Sequence, residues 1–91
     1  MTEVATRTVT VTVRYYAAAA AAAGREEEQI EAVVPATVRS VLDSCTDRFG
    51  PEFGDVLRRC SYLLDEVAVH DTDRALRDGA QLDVLPPFAG G

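Results

Sequence analysis

The segment from Thr8 to Tyr15 constrains the fold most strongly, because it alternates strictly between polar and apolar residues. Its sequence is TVTVTVRY, which places three valines and Tyr15 on one face, and three threonines and Arg14 on the other. A period of two is typical of a β-strand with one buried face and one open face. We therefore predict a strand whose sheet is covered on one side.

A run of seven alanines, Ala17 to Ala23, follows this strand directly. Alanine has the highest helix propensity, and Gly24 supplies the left-handed residue that commonly ends a helix. We predict a short helix here, entered from the strand at Tyr16. Disorder is the alternative for a low-complexity run, but the glycine and the β patterns on both sides favour a packed helix.

The next part of the chain predicts a second strand and the main helix. Residues 26–28 are all glutamate, which we interpret as a solvated charge run, and residues 29–34 (QIEAVV) then alternate weakly before Pro35. Thr37 is well placed as an N-cap. The apolar residues that follow it recur at helical spacing, namely Val38, Val41, Leu42 and Cys45.

Shorter elements are predicted for the rest of the chain. Gly50 and Pro51 end the main helix, and residues 51–59 can form a second short helix with Phe53, Val56 and Leu57 facing inward. The remaining segments are strands over 60–64 and 67–69 interrupted at Asp65 and Glu66, a turn or single helical turn over 72–77, an Asp78-Gly79 turn, and a last strand over 81–85.

This order of elements predicts an α+β fold. One mixed sheet of four or five strands, packed on one main helix, is the economical arrangement. The order is that of the ubiquitin-like β-grasp. With 91 residues the chain is expected to form a single domain over 1–91, with residues 1–7 frayed at its start.

Composition and charge exclude several classes of function. Fifteen acidic residues against nine basic ones give a formal charge of −6, and all nine basic residues are arginine. The arginines are scattered among carboxylates, so nucleic acid is not an expected partner and a basic protein is. Without lysine there is no side-chain amine for covalent catalysis. No secretory signal or run of about 20 apolar residues is present, so a cytoplasmic protein without membrane contact is expected.

The reactive side chains predict no metal site and no catalytic centre. Cys45 and Cys60 lack metal-ligand spacing, and two reduced, partly buried thiols are expected for them, with a disulfide as the weaker alternative. His70 stands in a turn-like segment without a nucleophile nearby, so we interpret it as a surface residue. A chain this small has little room for a deep catalytic cavity, which disfavours an enzyme that acts alone.

The C-terminal sequence PPFAGG indicates function most directly. Two prolines cannot continue a strand ladder, so residues 86–91 are predicted to form an extended tail. Gly90 and Gly91 have no side chains, so the terminal carboxylate can pass through a narrow channel in another protein. Phe88 offers an apolar anchor beside it. The alternative, a frayed terminus that ends in two glycines by chance, leaves the proline pair and the preceding strand unexplained.

A carboxylate at the end of such a tail can carry a chemical group. It is a poor electrophile, so its use requires activation, most simply as an acyl-adenylate made with ATP. A thioacid or an acyl-adenylate hydrolyses when exposed, so a thin tail that enters a water-shielded pocket suits this chemistry.

Three segments resemble the MoaD family, the small subunit of molybdopterin synthase. They are LPPFAGG at residues 85–91, RDGAQLDVL at 77–85 and TVTVRYYA at 10–17. The resemblance extends over about residues 8–91. It implies a sulfur carrier whose Gly91 carboxylate is adenylated by a MoeB-like enzyme and then converted to a thiocarboxylate. The sulfur is then donated to cyclic pyranopterin monophosphate in a MoaE-like large subunit during molybdenum cofactor biosynthesis.

The same resemblance assigns roles to individual residues. It places the sulfur on Gly91, a slim position at Gly90, and partner contacts at Leu85, Pro86, Pro87, Phe88, Ala89 and Tyr16. It implies a subunit with no bound cofactor that donates sulfur while the catalytic groups lie on the large subunit, with ATP used by the activating enzyme and a sulfurtransferase as sulfur source. Family members often carry an arginine in the first helix, which Ala17 to Ala23 lacks.

Two alternatives remain open on the sequence alone. The carrier chemistry can serve a different acceptor, in thiamin thiazole or cysteine biosynthesis, as in ThiS-like or actinobacterial carriers. From another class, the chain can be a ubiquitin-like modifier or an interaction domain without sulfur chemistry. In that case the terminal carboxylate is found in amide linkage to other proteins or is never modified.

Overall fold

The computed structural model describes residues 7–87, in which five strands form one mixed sheet. Its elements in chain order are β1 (Thr8–Tyr15), α1 (Ala17–Ala23), β2 (Glu27–Val33), α2 (Val38–Phe49), α3 (Pro51–Leu57), β3 (Ser61–Leu64), β4 (Val67–Ala68) and β5 (Ala80–Leu85). The strand order across the sheet is β2-β1-β5-β3-β4. β5 runs parallel to β1, and the other neighbouring pairs are antiparallel.

The helices lie on one face of this sheet and the other face is open. The alternation in β1 is confirmed, because Val11 and Val13 are completely buried while Thr12 between them is half-buried. The core joins these valines to the inward residues of β5 and α2 and to Phe53 of α3. A mixed sheet packed on one main helix is the β-grasp arrangement, so the predicted fold class is confirmed.

The predicted start of α2 is confirmed in atomic detail. The Thr37 Oγ1 atom accepts a hydrogen bond of 3.1 Å from the Ser40 backbone N–H, and the Thr37 N–H donates one of 2.9 Å to Ser40 Oγ. This reciprocal pair satisfies two N–H groups that a helix start would otherwise leave unpaired. The inward residues predicted for α2 are all buried.

The alanine helix also forms as predicted. α1 ends at Gly24, whose φ of 73° is left-handed and whose backbone N–H donates to the Ala20 carbonyl oxygen at 2.9 Å. A residue with a side chain rarely adopts this φ, which is why glycine stands at this position. Ala19 and Ala23 are buried, so small side chains let the helix approach the core closely.

The second strand differs from its prediction over residues 29–34. β2 begins at Glu27, and the Glu28 side chain is only 10% exposed, so the interpretation of residues 26–28 as a solvated run is wrong for Glu28. Two arginines stabilise it there: Arg48 of α2 contacts it at 2.8 and 3.1 Å, and Arg25 at 3.1 Å. Partners from a distant helix permit a burial that a local charge pattern does not predict.

The remaining bounds differ from the predicted ones by one or two residues. α3 ends at Leu57, β3 begins at Ser61, and β4 consists of Val67 and Ala68 alone. Of the two alternatives for residues 72–77, the turn is confirmed at residues 72 and 73, and Ala75 further along forms a bridge with Thr37. The Asp78-Gly79 turn is confirmed, with Gly79 at a φ of 84°.

Candidate functional site

The chain leaves the sheet beside the start of α1. β5 is the central strand, and its last residues lie between β1 and β3, with Val84 opposite Tyr15 and Leu85 opposite Ser61. The Tyr16 backbone N–H donates a hydrogen bond of 3.3 Å to the Val84 carbonyl oxygen. The residues that follow β5 therefore begin next to Tyr16, although the two segments lie at opposite ends of the sequence.

The structure places four of the predicted site residues, and it brings Tyr16 and Leu85 to the same end of the sheet. Tyr16, Leu85 and Pro86 are half-buried, and Pro87 is exposed. Phe88, Ala89, Gly90 and Gly91 lie outside the described residues, so their roles stay predictions. A half-buried tyrosine, leucine and proline offer apolar surface at the root of the tail.

The open face of the sheet carries an unexpected ion pair next to this point. In the parallel register of β1 and β5, Arg14 stands beside Asp83, and its Nε lies 3.7 Å from Asp83 Oδ1. Leu63 of β3 is opposite Asp83 on the other side. The Arg14 guanidinium carbon lies 5.8 Å from the centre of the Tyr16 ring. We call this surface the exit patch, and it consists of Arg14, Tyr16, Leu63, Asp83 and Leu85.

Asp83 is an unusual member of the exit patch because it is buried on a face that none of the helices within residues 7–87 covers. The residue is 7% exposed, and among residues 7–87 its Oδ1 has no hydrogen-bond partner, the Arg14 contact being too long. Burial raises the pKa of Asp83 above its ordinary value, although the Arg14 charge acts in the opposite direction. An unpaired buried carboxylate oxygen costs free energy, which a donor from a bound partner can recover.

Arg14, Leu63 and Asp83 are not among the site residues predicted from the sequence. Their signal was weak, because each looks like an ordinary member of an alternating strand. The polar parity of β1 and the single aspartate in QLDVL place two of them on the open face. Their adjacency depends on the pairing of β1 with β5, which is not a local property of the sequence.

A cavity of about 370 Å³ adjoins the exit patch at its β2 side. Its lining combines polar and apolar residues: Arg14, Tyr15, Tyr16, Ala17, Ala20, Glu26 and Glu27. Because Arg14 and Tyr16 belong to both surfaces, a partner that covers the exit patch also reaches this cavity. Its acidic rim suits a basic side chain of that partner.

A second polar cluster lies inside the protein and is structural. The Tyr15 hydroxyl donates to Glu28 Oε2 at 2.5 Å and lies 3.2 Å from Cys45 Sγ. Burial raises the pKa of Tyr15 and of the Cys45 thiol, so both stay protonated near neutral pH. Arg48 hydrogen bonds lower the pKa of Glu28, outweighing its burial, which acts to raise it. The cluster joins β1, β2 and α2, and we assign it a structural role.

The two cysteines and the histidine lie where the sequence predicts them. Cys45 and Cys60 are free thiols, the first fully buried and the second half-buried, and His70 is exposed. Within residues 7–87 no three histidine, cysteine or acidic residues are arranged to hold a metal ion. In the same part of the chain, no helix has the length and apolar character needed to cross a membrane.

Comparison with known proteins agrees with this geometry. The model of the ThiS family matches residues 13–91. No curated protein matches the chain. A Pyrococcus furiosus protein described as molybdopterin converting factor subunit 1 superimposes with a TM-score of 0.79 and 27% identity, covering 88% of this chain and 99% of its own.

Two further solved structures share the fold at lower identity. Small archaeal modifier protein 1 from Methanosarcina acetivorans has a TM-score of 0.78 and 22% identity, covering 93% of this chain and 99% of its own. In the complex of subunits 1 and 2 of molybdopterin-converting factor from Helicobacter pylori, the similar chain has a TM-score of 0.64 and 22% identity, with coverages of 91% and 100%. The family match spans most of the chain, and the chain therefore belongs to the ThiS family of MoaD/ThiS ubiquitin-like sulfur carriers.

Proposed function

We propose that this protein is the small, sulfur-carrying subunit of molybdopterin synthase. The observation that carries the proposal is the position of the tail: β5 ends in the centre of the sheet beside Tyr16, and a Pro-Pro pair directs the chain toward a terminal Gly-Gly. The similarity to a molybdopterin converting factor subunit 1 at 27% identity supports this role over the other carriers.

The chemistry proceeds in three balanced steps. The Gly91 carboxylate attacks the α-phosphorus of ATP in an adenylating enzyme, forming an acyl-adenylate and releasing pyrophosphate. The persulfide of a sulfurtransferase then attacks the acyl carbon and displaces AMP. A thiol reduces the resulting acyl disulfide and is itself oxidised to a disulfide, which leaves a thiocarboxylate on Gly91. In the large subunit this sulfur attacks a carbon of cyclic pyranopterin monophosphate and displaces an oxygen substituent from that carbon. Water then attacks the Gly91 carbonyl carbon, the carbon–sulfur bond to Gly91 breaks, and the carboxylate is restored while the sulfur stays on the pterin.

The exit patch and the net charge of the chain both support docking to a partner protein. The exit patch offers apolar side chains and an ion pair whose carboxylate is buried at the root of the tail, which a flat partner surface can cover while the tail enters its active site. The formal charge of −6 favours encounter with basic surfaces, which are expected around sites that bind phosphorylated pterin and ATP. We expect one surface to serve both the large subunit and the activating enzyme in turn, because the same tail must enter each.

The first test is the intact mass of the untagged protein after incubation with a MoeB-like enzyme, ATP and a sulfur donor. A gain of about 16 Da, from sulfur replacing oxygen, is expected. The matched control is the chain lacking Gly91, which keeps the whole described fold and should gain nothing. If the complete chain also keeps its original mass, carrier chemistry is excluded and the interaction-domain alternative replaces it.

The second test identifies the acceptor. The thiocarboxylated protein is mixed with a MoaE-like subunit and cyclic pyranopterin monophosphate, and molybdopterin formation is followed together with the return of the carrier to its original mass. Sulfur transfer here supports the proposal. Transfer instead to a thiazole synthase or to a cysteine-forming enzyme would assign the protein to thiamin thiazole or cysteine biosynthesis. The ThiS family match is consistent with these alternatives too.

A further inference from the structure

The outer backbone of β2 is an unused hydrogen-bonding edge. Tyr15 donates to the Glu26 carbonyl oxygen and Val34 to that of Arg7, both at 2.8 Å, so the even-numbered residues of β2 point their backbone groups at β1. In an antiparallel pair the alternate residues point theirs away. The backbone groups of residues 27, 29, 31 and 33 therefore face outward, and among residues 7–87 no element continues the sheet there.

A shallow groove runs along the helix side of this edge. It has a volume of about 260 Å³ and lies between β2 and α2. Its lining is mainly apolar or small: Ile30, Ala32, Val33, Pro35, Ser40, Val41 and Ser44, with Glu31 at the rim. Two of the exposed large hydrophobic residues of the described chain, Val33 and Val34, stand at its end, exposed by 61% and 42%. The opposite edge, β4, is only two residues long and offers no comparable ladder.

The negative charge on the β2 edge favours a basic partner segment. Glu27 and Glu31 are exposed, and neither forms an ion pair within residues 7–87, whereas Glu28 is held by Arg48 and Arg25. A second copy of the chain would bring the same glutamates together, and like charges on paired strands repel. A strand with arginine or lysine beside Glu27 and Glu31 would gain complementary pairs instead.

We propose that the β2 edge binds an extended, basic segment of a partner protein by adding it to the sheet as a sixth strand. The segment pairs its backbone with the outward groups of Gln29, Glu31 and Val33. Its apolar side chains lie over the groove beside Ile30 and Val41, and its basic side chains lie on the open face beside the glutamates. Backbone pairing supplies affinity in such a mode, and the alternating side chains supply specificity.

This surface shares no residue with the exit patch, although Glu27 at its end also lines the cavity beside that patch, and the proposal goes beyond the carrier function. β2 is an edge strand, whereas the tail leaves from the central strand β5. A partner can therefore hold the protein through β2 while the C-terminus stays accessible. The test below uses the full chain with its ordinary carboxylate, so its outcome does not depend on sulfur chemistry.

The test is an NMR titration of the full-length protein with a synthetic peptide of alternating arginine and valine. The largest shift changes are expected at the amides of Gln29, Glu31 and Val33, with smaller ones at Ser40 and Ser44. Gln29→Pro removes one outward N–H without touching the ladder to β1, so it should fold and bind about five- to tenfold more weakly. Glu31→Arg should weaken binding about two- to fivefold.

Two controls separate strand addition from simple charge attraction. Glu66→Arg makes the same charge change in the turn between β3 and β4, far from β2, and should leave the affinity within about twofold of the original. A peptide of alternating glutamate and valine should not bind. The proposal is overturned if the basic peptide causes no shifts at β2, if Gln29→Pro binds as well as the original, or if Glu66→Arg weakens binding as much as Glu31→Arg.

Discussion

The Tyr16 backbone N–H lies 3.3 Å from the Val84 carbonyl oxygen, so the first helix begins where the last strand ends. This contact extends the parallel pairing of β1 with β5 by one step. It places the Tyr16 side chain and Arg14 at the root of the C-terminal tail. A partner that receives the tail therefore meets residues from both ends of the chain at once.

We expect the buried carboxylate of Asp83 to reduce the stability of the free protein and to strengthen its binding to a partner. Asp83→Asn removes a buried charge whose Oδ1 lacks a hydrogen bond within residues 7–87. We expect the free energy of unfolding at pH 7 to rise by about 1 kcal/mol in urea denaturation, because the relief of an unsatisfied buried charge exceeds the loss of a long ion pair with the partly exposed Arg14. If the large subunit supplies the missing donor, its affinity for the variant should fall about tenfold in calorimetry.

The pH dependence of this variant follows from the raised pKa of Asp83. Above that pKa the folded protein carries an unfavourable charge, so the stability gain of Asp83→Asn is fully present at neutral pH. As the pH falls through the raised pKa the original side chain becomes neutral and the gain disappears. Asp73→Asn, which removes an exposed carboxylate paired with Arg39, is the control and should change stability little at either pH. A gain for Asp83→Asn that persists at low pH would contradict this explanation.

Glu28 predicts the opposite pH dependence. Burial acts to raise the pKa of Glu28, but the hydrogen bonds from Arg48 and Tyr15 lower it by more. The net pKa therefore lies below its ordinary value. Its stabilising effect is therefore present above the unfolded pKa of about 4.3 and is lost as the pH falls through the lower folded pKa. Glu28→Gln should reduce stability by about 2 kcal/mol at pH 7, and by much less near pH 3, in urea denaturation. Glu27→Gln, an exposed neighbour, should change it little.

The capping box of α2 predicts a measurable loss on a single substitution. Thr37→Ala removes the Oγ1 that accepts from the Ser40 N–H at 3.1 Å, and the thermal or urea stability should drop by about 1 kcal/mol. Ser44→Ala changes a side chain of similar size on the same helix without touching the cap, and should be close to neutral. Equal effects from both substitutions would show that the cap contributes nothing specific.

The turn between β3 and β4 predicts a stabilising substitution. Asp65 and Glu66 both have positive φ, 48° and 70°, and they form the two-residue connection of this hairpin. Such turns prefer Asp-Gly, because glycine adopts positive φ without a steric cost. Glu66→Gly should raise the free energy of unfolding by about 1 kcal/mol. Glu66→Ala, which keeps a Cβ at the same φ, should give no comparable gain.

We expect Cys60 to react with alkylating reagents faster than Cys45. Cys45 is completely buried, Cys60 is half-buried, and burial raises the pKa of each thiol. Slow alkylation of native protein, followed by peptide mass spectrometry, should modify Cys60 first and Cys45 only after denaturation. Cys60→Ser should abolish labelling of the native protein. Early labelling of Cys45 would mean that the Tyr15–Cys45 contact opens readily in solution.

Local sequence predicted most of the elements because their signals are local. The alternation of TVTVTVRY, the spacing of apolar residues in α2, the Thr37 cap and the Gly24 ending each depend on neighbours within a few residues. Those preferences act on the backbone directly, so the tertiary structure keeps them. The tail sequence likewise indicated the carrier role, because prolines and terminal glycines limit what such a segment can do.

The tertiary structure decided which distant residues meet. Nothing local to Glu28 shows that Arg48 will face it, and a run of glutamates is otherwise expected to stay in water. In the same way, Arg14 and Asp83 become neighbours only because β1 and β5 pair in parallel in a particular register. Sequence alone determined most of the elements and predicted the chemistry of the terminus. Strand pairing alone decided the exit patch, because the contacts that form it join residues far apart in the chain.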